Sequence, residues 1–186
     1  MNLANKITVF RMILVPVFIG CLLYWDRGRP ELRAAAAGIF LFACITDALD
    51  GLLARRFGQK TPLGALIDPL ADKALLVSAF FALTFLPRIP EEVRLPLWLT
   101  VLVISRDLLL TAGAFVIAAV KGSFTPRTNL LGKATTFGQM LLVLTVLWGL
   151  ERLEAPLIAA AALLTLASGA AYLRTGAAIL SHEARA

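Results

Sequence analysis

Charge-free stretches at residues 12–25, 34–46, 74–87, 95–105, 108–120, 134–150 and 155–173 alternate with short polar connectors. Only the last of them reaches the roughly 18 residues that a membrane-crossing helix needs. Joining neighbouring runs across isolated internal charges gives six spans of crossing length, at about 7–25, 34–54, 63–86, 95–120, 134–150 and 156–179. The connectors read DRGRPELR from Asp26, RRFGQKT from Arg55, PRIPEEVR from Pro87, KGSFTPRTNLLGK from Lys121 and ERLEA from Glu151. Thr61 followed by Pro62 suits an N-cap and a first helical position, which starts the third span just before Gly64. The pattern predicts an all-α polytopic membrane protein with six transmembrane helices, forming a single membrane-embedded domain over residues 1–186.

Composition strengthens this picture. Hydrophobic residues make up 59% of the 186 and charged residues 16%, against roughly 25% charged in a soluble chain. Mean hydropathy is +0.82, and a soluble fold of this size could not cover so much apolar surface. Disordered, collagen-like and disulfide-scaffold classes are excluded on the same grounds. The net charge of +6 comes from basic residues scattered between apolar runs, which favours anionic headgroups or phosphate compounds as partners and not nucleic acid. Cys21, Cys44 and the single His182 cannot assemble a zinc site at the usual spacings.

Six spans place both termini on one side. With that side cytoplasmic, the inner segments carry eight basic residues and the outer loops six, a bias in the direction of the positive-inside rule. Lys6 and Arg11 ahead of an apolar stretch resemble a secretory signal. No small-residue cleavage site follows cleanly, and the first span is expected to remain a helix.

The chemistry lies in the charges inside the spans. Asp47, Asp50, Asp68 and Asp72 fall within the second and third spans, where each carboxylate costs about 2.5–3.5 kcal/mol at a helix centre. Spacings of three and four put each pair on one helix face, and the short connector makes the two helices antiparallel neighbours. Four clustered carboxylates would take up protons unless a cation sits among them. Their hard oxygens suit Mg²⁺, Mn²⁺ or Ca²⁺, as one or two ions. Salt bridges to Lys73, Arg55 or Arg106 would be the structural alternative. Gly51, Ala54 and Gly64 leave room beside the carboxylates for a ligand to approach the backbone, or for helices to pack. Arg55 is placed to take phosphate oxygens as a bidentate donor. Pro69, between Asp68 and Asp72, removes a backbone donor and is expected to kink its helix.

Together, DALDGLLARRFGQKTPLGALIDPLAD from Asp47 to Asp72 fits DxxDGxxAR, eight residues, GxxxDxxxD at every fixed position. This segment resembles the signature of the CDP-alcohol phosphotransferase family. ITVFRMILVP, TPLGALIDPLADK and LLGKATTFGQ are similar to the bacterial phosphatidylglycerophosphate synthases within it, so the likeness runs from about residue 2 to 140. The resemblance implies a six-helix homodimeric enzyme of the bacterial inner (cytoplasmic) membrane, its site open to the cytoplasm, that displaces CMP from CDP-diacylglycerol with an alcohol acceptor. By position it makes Asp47, Asp50 and Asp68 ligands of Mg²⁺ or Mn²⁺. It makes Asp72 the base that deprotonates the acceptor and a contact of a second ion, and it puts Gly51, Ala54, Arg55 and Gly64 in the CDP pocket.

The acceptor implied by the resemblance is glycerol 3-phosphate. Ser105-Arg106-Asp107 in the fourth span also resembles the eukaryotic-type cardiolipin synthases of the family, whose acceptor is phosphatidylglycerol. Arg106, Arg127 and Lys133 are the candidate acceptor contacts. Helix neighbours point about 100° apart, so Arg106 is expected to be free of Asp107 and available to the acceptor. An ion transporter would also use intramembrane carboxylates, but it would spread them through the bilayer instead of gathering them at one end of two helices.

Overall fold

A computed structural model describes the backbone of residues 3–57, 62–121 and 130–183, and the side chains of residues 10–48, 73–113 and 130–175. Among the described residues every regular element is a helix, with no strand. The helices are α1 (Leu3–Tyr24), α2 (Pro30–Phe57), α3 (Pro62–Phe85), α4 (Leu97–Lys121), α5 (Leu130–Trp148) and α6 (Glu151–Glu183), with a short 3-10 turn at Glu91–Val93 before α4. Each predicted span has its helix. The limits lie further out at α2 and α6, because Glu31, Arg33, Arg55 and Glu151 count as connector residues by charge yet are good helix formers. Pro30 opens α2 and Pro62 opens α3, positions where the missing N–H costs nothing. Thr61 lies outside the described residues. The α5 and α6 segments Leu130–Trp148 and Glu151–Thr175 are long and apolar enough to cross a membrane.

The chain divides into two compact units, residues 1–95 with 143–151, and residues 96–142 with 152–186. In the first, α1 packs against both α2 and α3. Phe18, Leu22, Phe40, Phe80 and Leu83 are buried there, and the Phe18 and Phe40 rings lie 5.6 Å apart. One end of this unit is tied by cations. Arg27 Nη2 donates to Glu92 Oε1 at 2.5 Å, joining the α1–α2 connector to the 3-10 turn. Hydrogen bonding from the Glu92 backbone, and then Arg27, holds the Glu92 carboxyl below the usual range. Arg33 stacks over the Trp25 ring at 5.0 Å and donates to Val146 O at 2.6 Å, while Gly149 closes α5 at φ +72°, a left-handed conformation glycine adopts without strain. Since the chain reverses at each connector, the end of α2 and the start of α3 lie at the opposite end of this unit.

In the second unit polar side chains are inside. Thr135, Gln139, Thr165, Ser168, Arg106 and Asp107 are buried, and Gln139 Nε2 donates to Thr165 Oγ1 at 3.0 Å between α5 and α6. Tyr172 Oη donates to Leu110 O at 3.0 Å, and its ring lies 2.9 Å from where a Cβ on Gly113 would sit, so only glycine lets α4 and α6 approach this closely. Outward, Leu97, Trp98, Leu108, Phe137, Leu163 and Leu166 are exposed.

Candidate active site

Helix α2 runs unbroken to Phe57, so Asp47, Asp50, Gly51, Ala54 and Arg55, at offsets of zero, three, four, seven and eight, lie along one face. Helix α3 likewise carries Gly64, Asp68 and Asp72 at intervals of four and continues through Pro69. The side chains of Asp50, Gly51, Ala54, Arg55, Gly64, Asp68 and Asp72 lie outside the described residues, as does Arg127 altogether. The register of both stripes follows from the backbone.

The Asp47 side chain is described, and it has a partner that sequence reasoning missed. Arg11 reaches across from α1, its Nη1 at 2.7 Å from Asp47 Oδ1. Its side chain is 2% exposed while that of Asp47 is 32% exposed. Of the cations anticipated for salt bridging, Arg106 pairs with Asp107 instead, and the Arg55 side chain lies outside the described residues. Arg11 carried the same signal as the aspartates, a lone charge within an apolar run, but its place near the N-terminus invited comparison with a leader sequence. Since α1 contacts both α2 and α3, it can deliver one positive charge to the carboxylate stripe while Phe18 and Leu22 of the same helix are buried.

The Asp47 carboxylate is 32% exposed beside Arg11, and its hard oxygens are of the kind that suit a divalent ion. Among the described residues no three acidic, histidine or cysteine side chains gather at one point, since Asp47 is the one member of the aspartate set whose side chain is described.

Arg106 departs from the expectation. It is buried on α4, and its Nη1 donates to Asp107 Oδ1 at 2.8 Å. The 100° between helix neighbours separates their Cβ atoms, but an arginine stem is long enough to bend its head back to the adjacent carboxylate. Nη2 donates to Ser168 Oγ on α6. The guanidinium is therefore anchored, and the premise that left it free is corrected. A Cβ on Gly132 would lie 3.6 Å from Nη2, which brings the start of α5 beside the same group. Lys133, the next residue, is exposed.

Two aspartate pairs thus fall on consecutive helices with small residues in register between them. The chain belongs to the CDP-alcohol phosphatidyltransferase family, whose model matches residues 1–168. It is 39% identical over 175 residues to a probable phosphatidylglycerophosphate synthase of Mycobacterium tuberculosis, covering 92% of this chain and 79% of the relative. It is 34% identical over 155 residues to the CDP-diacylglycerol–glycerol-3-phosphate 3-phosphatidyltransferase of Bacillus subtilis, covering 78% and 76%. A cardiolipin synthase (CMP-forming) of Streptomyces coelicolor is 34% identical over 140 residues, covering 75% and 62%. The match extends into α6, beyond the point where the motif resemblance ends.

Proposed function

We infer that this protein is a polytopic enzyme of the bacterial inner membrane that transfers a phosphatidyl group from CDP-diacylglycerol to glycerol 3-phosphate, yielding phosphatidylglycerophosphate and CMP. The observation that carries this reading is the aspartate stripe of α2 and α3 in a member of this family, with Asp47 charge-paired and accessible. The relatives named above support the choice of donor and acceptor. Membrane residence is supported by polarity turned outside in: Arg11, Arg106, Gln139 and Thr165 are buried while Ile13, Phe42, Trp98, Phe137 and Leu163 are exposed, the distribution that lipid favours and water opposes. The reading includes six crossing helices, a homodimer and a site facing the cytoplasm.

Asp47, Asp50, Asp68 and Asp72 would hold one or two Mg²⁺ or Mn²⁺ ions, which neutralise the diphosphate and stabilise the leaving phosphate when bound. Asp72 takes the proton of the acceptor hydroxyl. The hydroxyl oxygen bonds to the phosphorus that carries diacylglycerol, the anhydride P–O bond breaks, and its electron pair leaves with CMP. Arg55, Gly51, Ala54 and Gly64 serve the CDP moiety, and Arg106, Lys133 and Arg127 serve the acceptor.

The test is to incubate the purified chain with CDP-diacylglycerol and either glycerol 3-phosphate or phosphatidylglycerol, with and without Mg²⁺ or Mn²⁺, and to identify the lipid by mass spectrometry. Metal-dependent phosphatidylglycerophosphate is the expected product. The second reading, cardiolipin formation from phosphatidylglycerol, is favoured by Ser105-Arg106-Asp107 and by the Streptomyces relative; cardiolipin with no phosphatidylglycerophosphate would establish it instead.

A further inference from the structure

Arg106 has five N–H donors. Asp107 takes one from Nη1 and Ser168 one from Nη2, while Nε is buried with no hydrogen-bond partner among the described residues. That leaves Nε as a donor that a bound ligand can meet. The two anchors do different work. Asp107 supplies the countercharge that a guanidinium in a membrane segment requires, so charge balance does not need Ser168. A hydroxyl on a different helix, 62 residues away, adds direction: with Nη1 and Nη2 both held, the guanidinium plane cannot swing about its stem. A Cβ on Gly169 would lie 3.7 Å from Arg106 Cγ and one on Gly132 3.6 Å from Nη2, so the small residues of α5 and α6 let the side chain lie close against both backbones.

We propose that Ser168 is a positioning residue for acceptor recognition: it fixes the Arg106 guanidinium so that its unspent N–H donors meet an acceptor phosphate. This rests on the reading of Arg106 as an acceptor contact. Recognition of a phosphate by a guanidinium depends on the orientation of its planar fork, and losing the Ser168 anchor therefore weakens acceptor binding more than it weakens the fold.

The experiment compares Ser168→Ala and Ser168→Thr with the parent chain in steady-state assays that vary glycerol 3-phosphate and CDP-diacylglycerol separately, with thermal unfolding recorded for each. Ser168→Ala should raise the KM for glycerol 3-phosphate about tenfold, the size of one charge-assisted hydrogen bond, and leave the CDP-diacylglycerol KM and the melting temperature nearly unchanged. Ser168→Thr, which keeps a hydroxyl, should restore most of the acceptor affinity. An unchanged acceptor KM in Ser168→Ala overturns the proposal, and so does an equal rise in both KM values accompanied by a lower melting temperature, which marks a purely structural role. If the parent chain transfers to phosphatidylglycerol alone, the choice of glycerol 3-phosphate falls by itself. The same split is then measured with phosphatidylglycerol, whose phosphodiester offers the same oxygen chemistry; a selective KM rise supports Ser168 as the positioning residue, and its absence removes that role.

Discussion

Arg11 Nη1 and Asp47 Oδ1 lie 2.7 Å apart, joining a nearly inaccessible guanidinium on α1 to the one described carboxylate of the aspartate stripe. Removing one partner of a buried pair costs about 3–5 kcal/mol, and the partial exposure of Asp47 lowers that to about 2 kcal/mol. Arg11→Gln should therefore lower the melting temperature by several degrees and reduce turnover at least tenfold, as Asp47 loses its fixed orientation. Arg11→Lys keeps the charge and should recover part of both. Thermal unfolding and turnover measured together check this; an Arg11→Gln chain with unaltered values of both would remove the pair from any role.

The aspartates are expected to act as a set. Asp47→Asn, Asp50→Asn and Asp68→Asn should each reduce turnover by a hundredfold or more, on the order expected when a ligand anion is lost. Each should also raise the Mg²⁺ or Mn²⁺ concentration needed for half-maximal rate. A titration with each ion, and with chelator added to the parent chain, provides the measurement. Full activity in excess chelator would contradict metal dependence.

Asp72 should behave differently from the other three. As the base it acts in the chemical step, so Asp72→Asn should nearly abolish turnover while binding of CDP-diacylglycerol survives within a few-fold. Equilibrium binding of the labelled nucleotide lipid to the variant distinguishes the cases. Near-normal turnover with poor binding would reassign Asp72 to holding the substrate.

At Gly149 the prediction concerns stability alone. Its φ of +72° disfavours any Cβ by about 1–2 kcal/mol, and an added Cβ would also lie 3.3 Å from the Arg33 guanidinium. Gly149→Ala should lower the melting temperature by a few degrees, and Arg33→Ala should lower it independently through the lost stacking on Trp25 and the lost bond to Val146 O. Circular dichroism of both variants during heating checks this, and a Gly149→Ala chain that melts with the parent would show that the α5 terminus tolerates another conformation.

The helices and the face shared by Asp47, Asp50, Gly51 and Ala54 were legible in the chain because both depend on short range: apolar run length sets the helices, and a rotation of about 100° per residue sets the face. Pro30 and Pro62 mark starts by the same local logic. The partners of the buried cations were not legible. Arg11 meets Asp47 only because α1 packs against α2, and Arg106 meets Ser168 only because α4 and α6 are neighbours in one unit; no periodicity encodes which distant helix supplies an acceptor. Even the adjacent pair Arg106 and Asp107 escaped the helical-wheel argument, since that argument places Cβ atoms while the contact is made at the end of a flexible stem. Local rules assigned the aspartates to a common face, and the packing of distant helices decided which charges are held, by what, and which donors remain to be used.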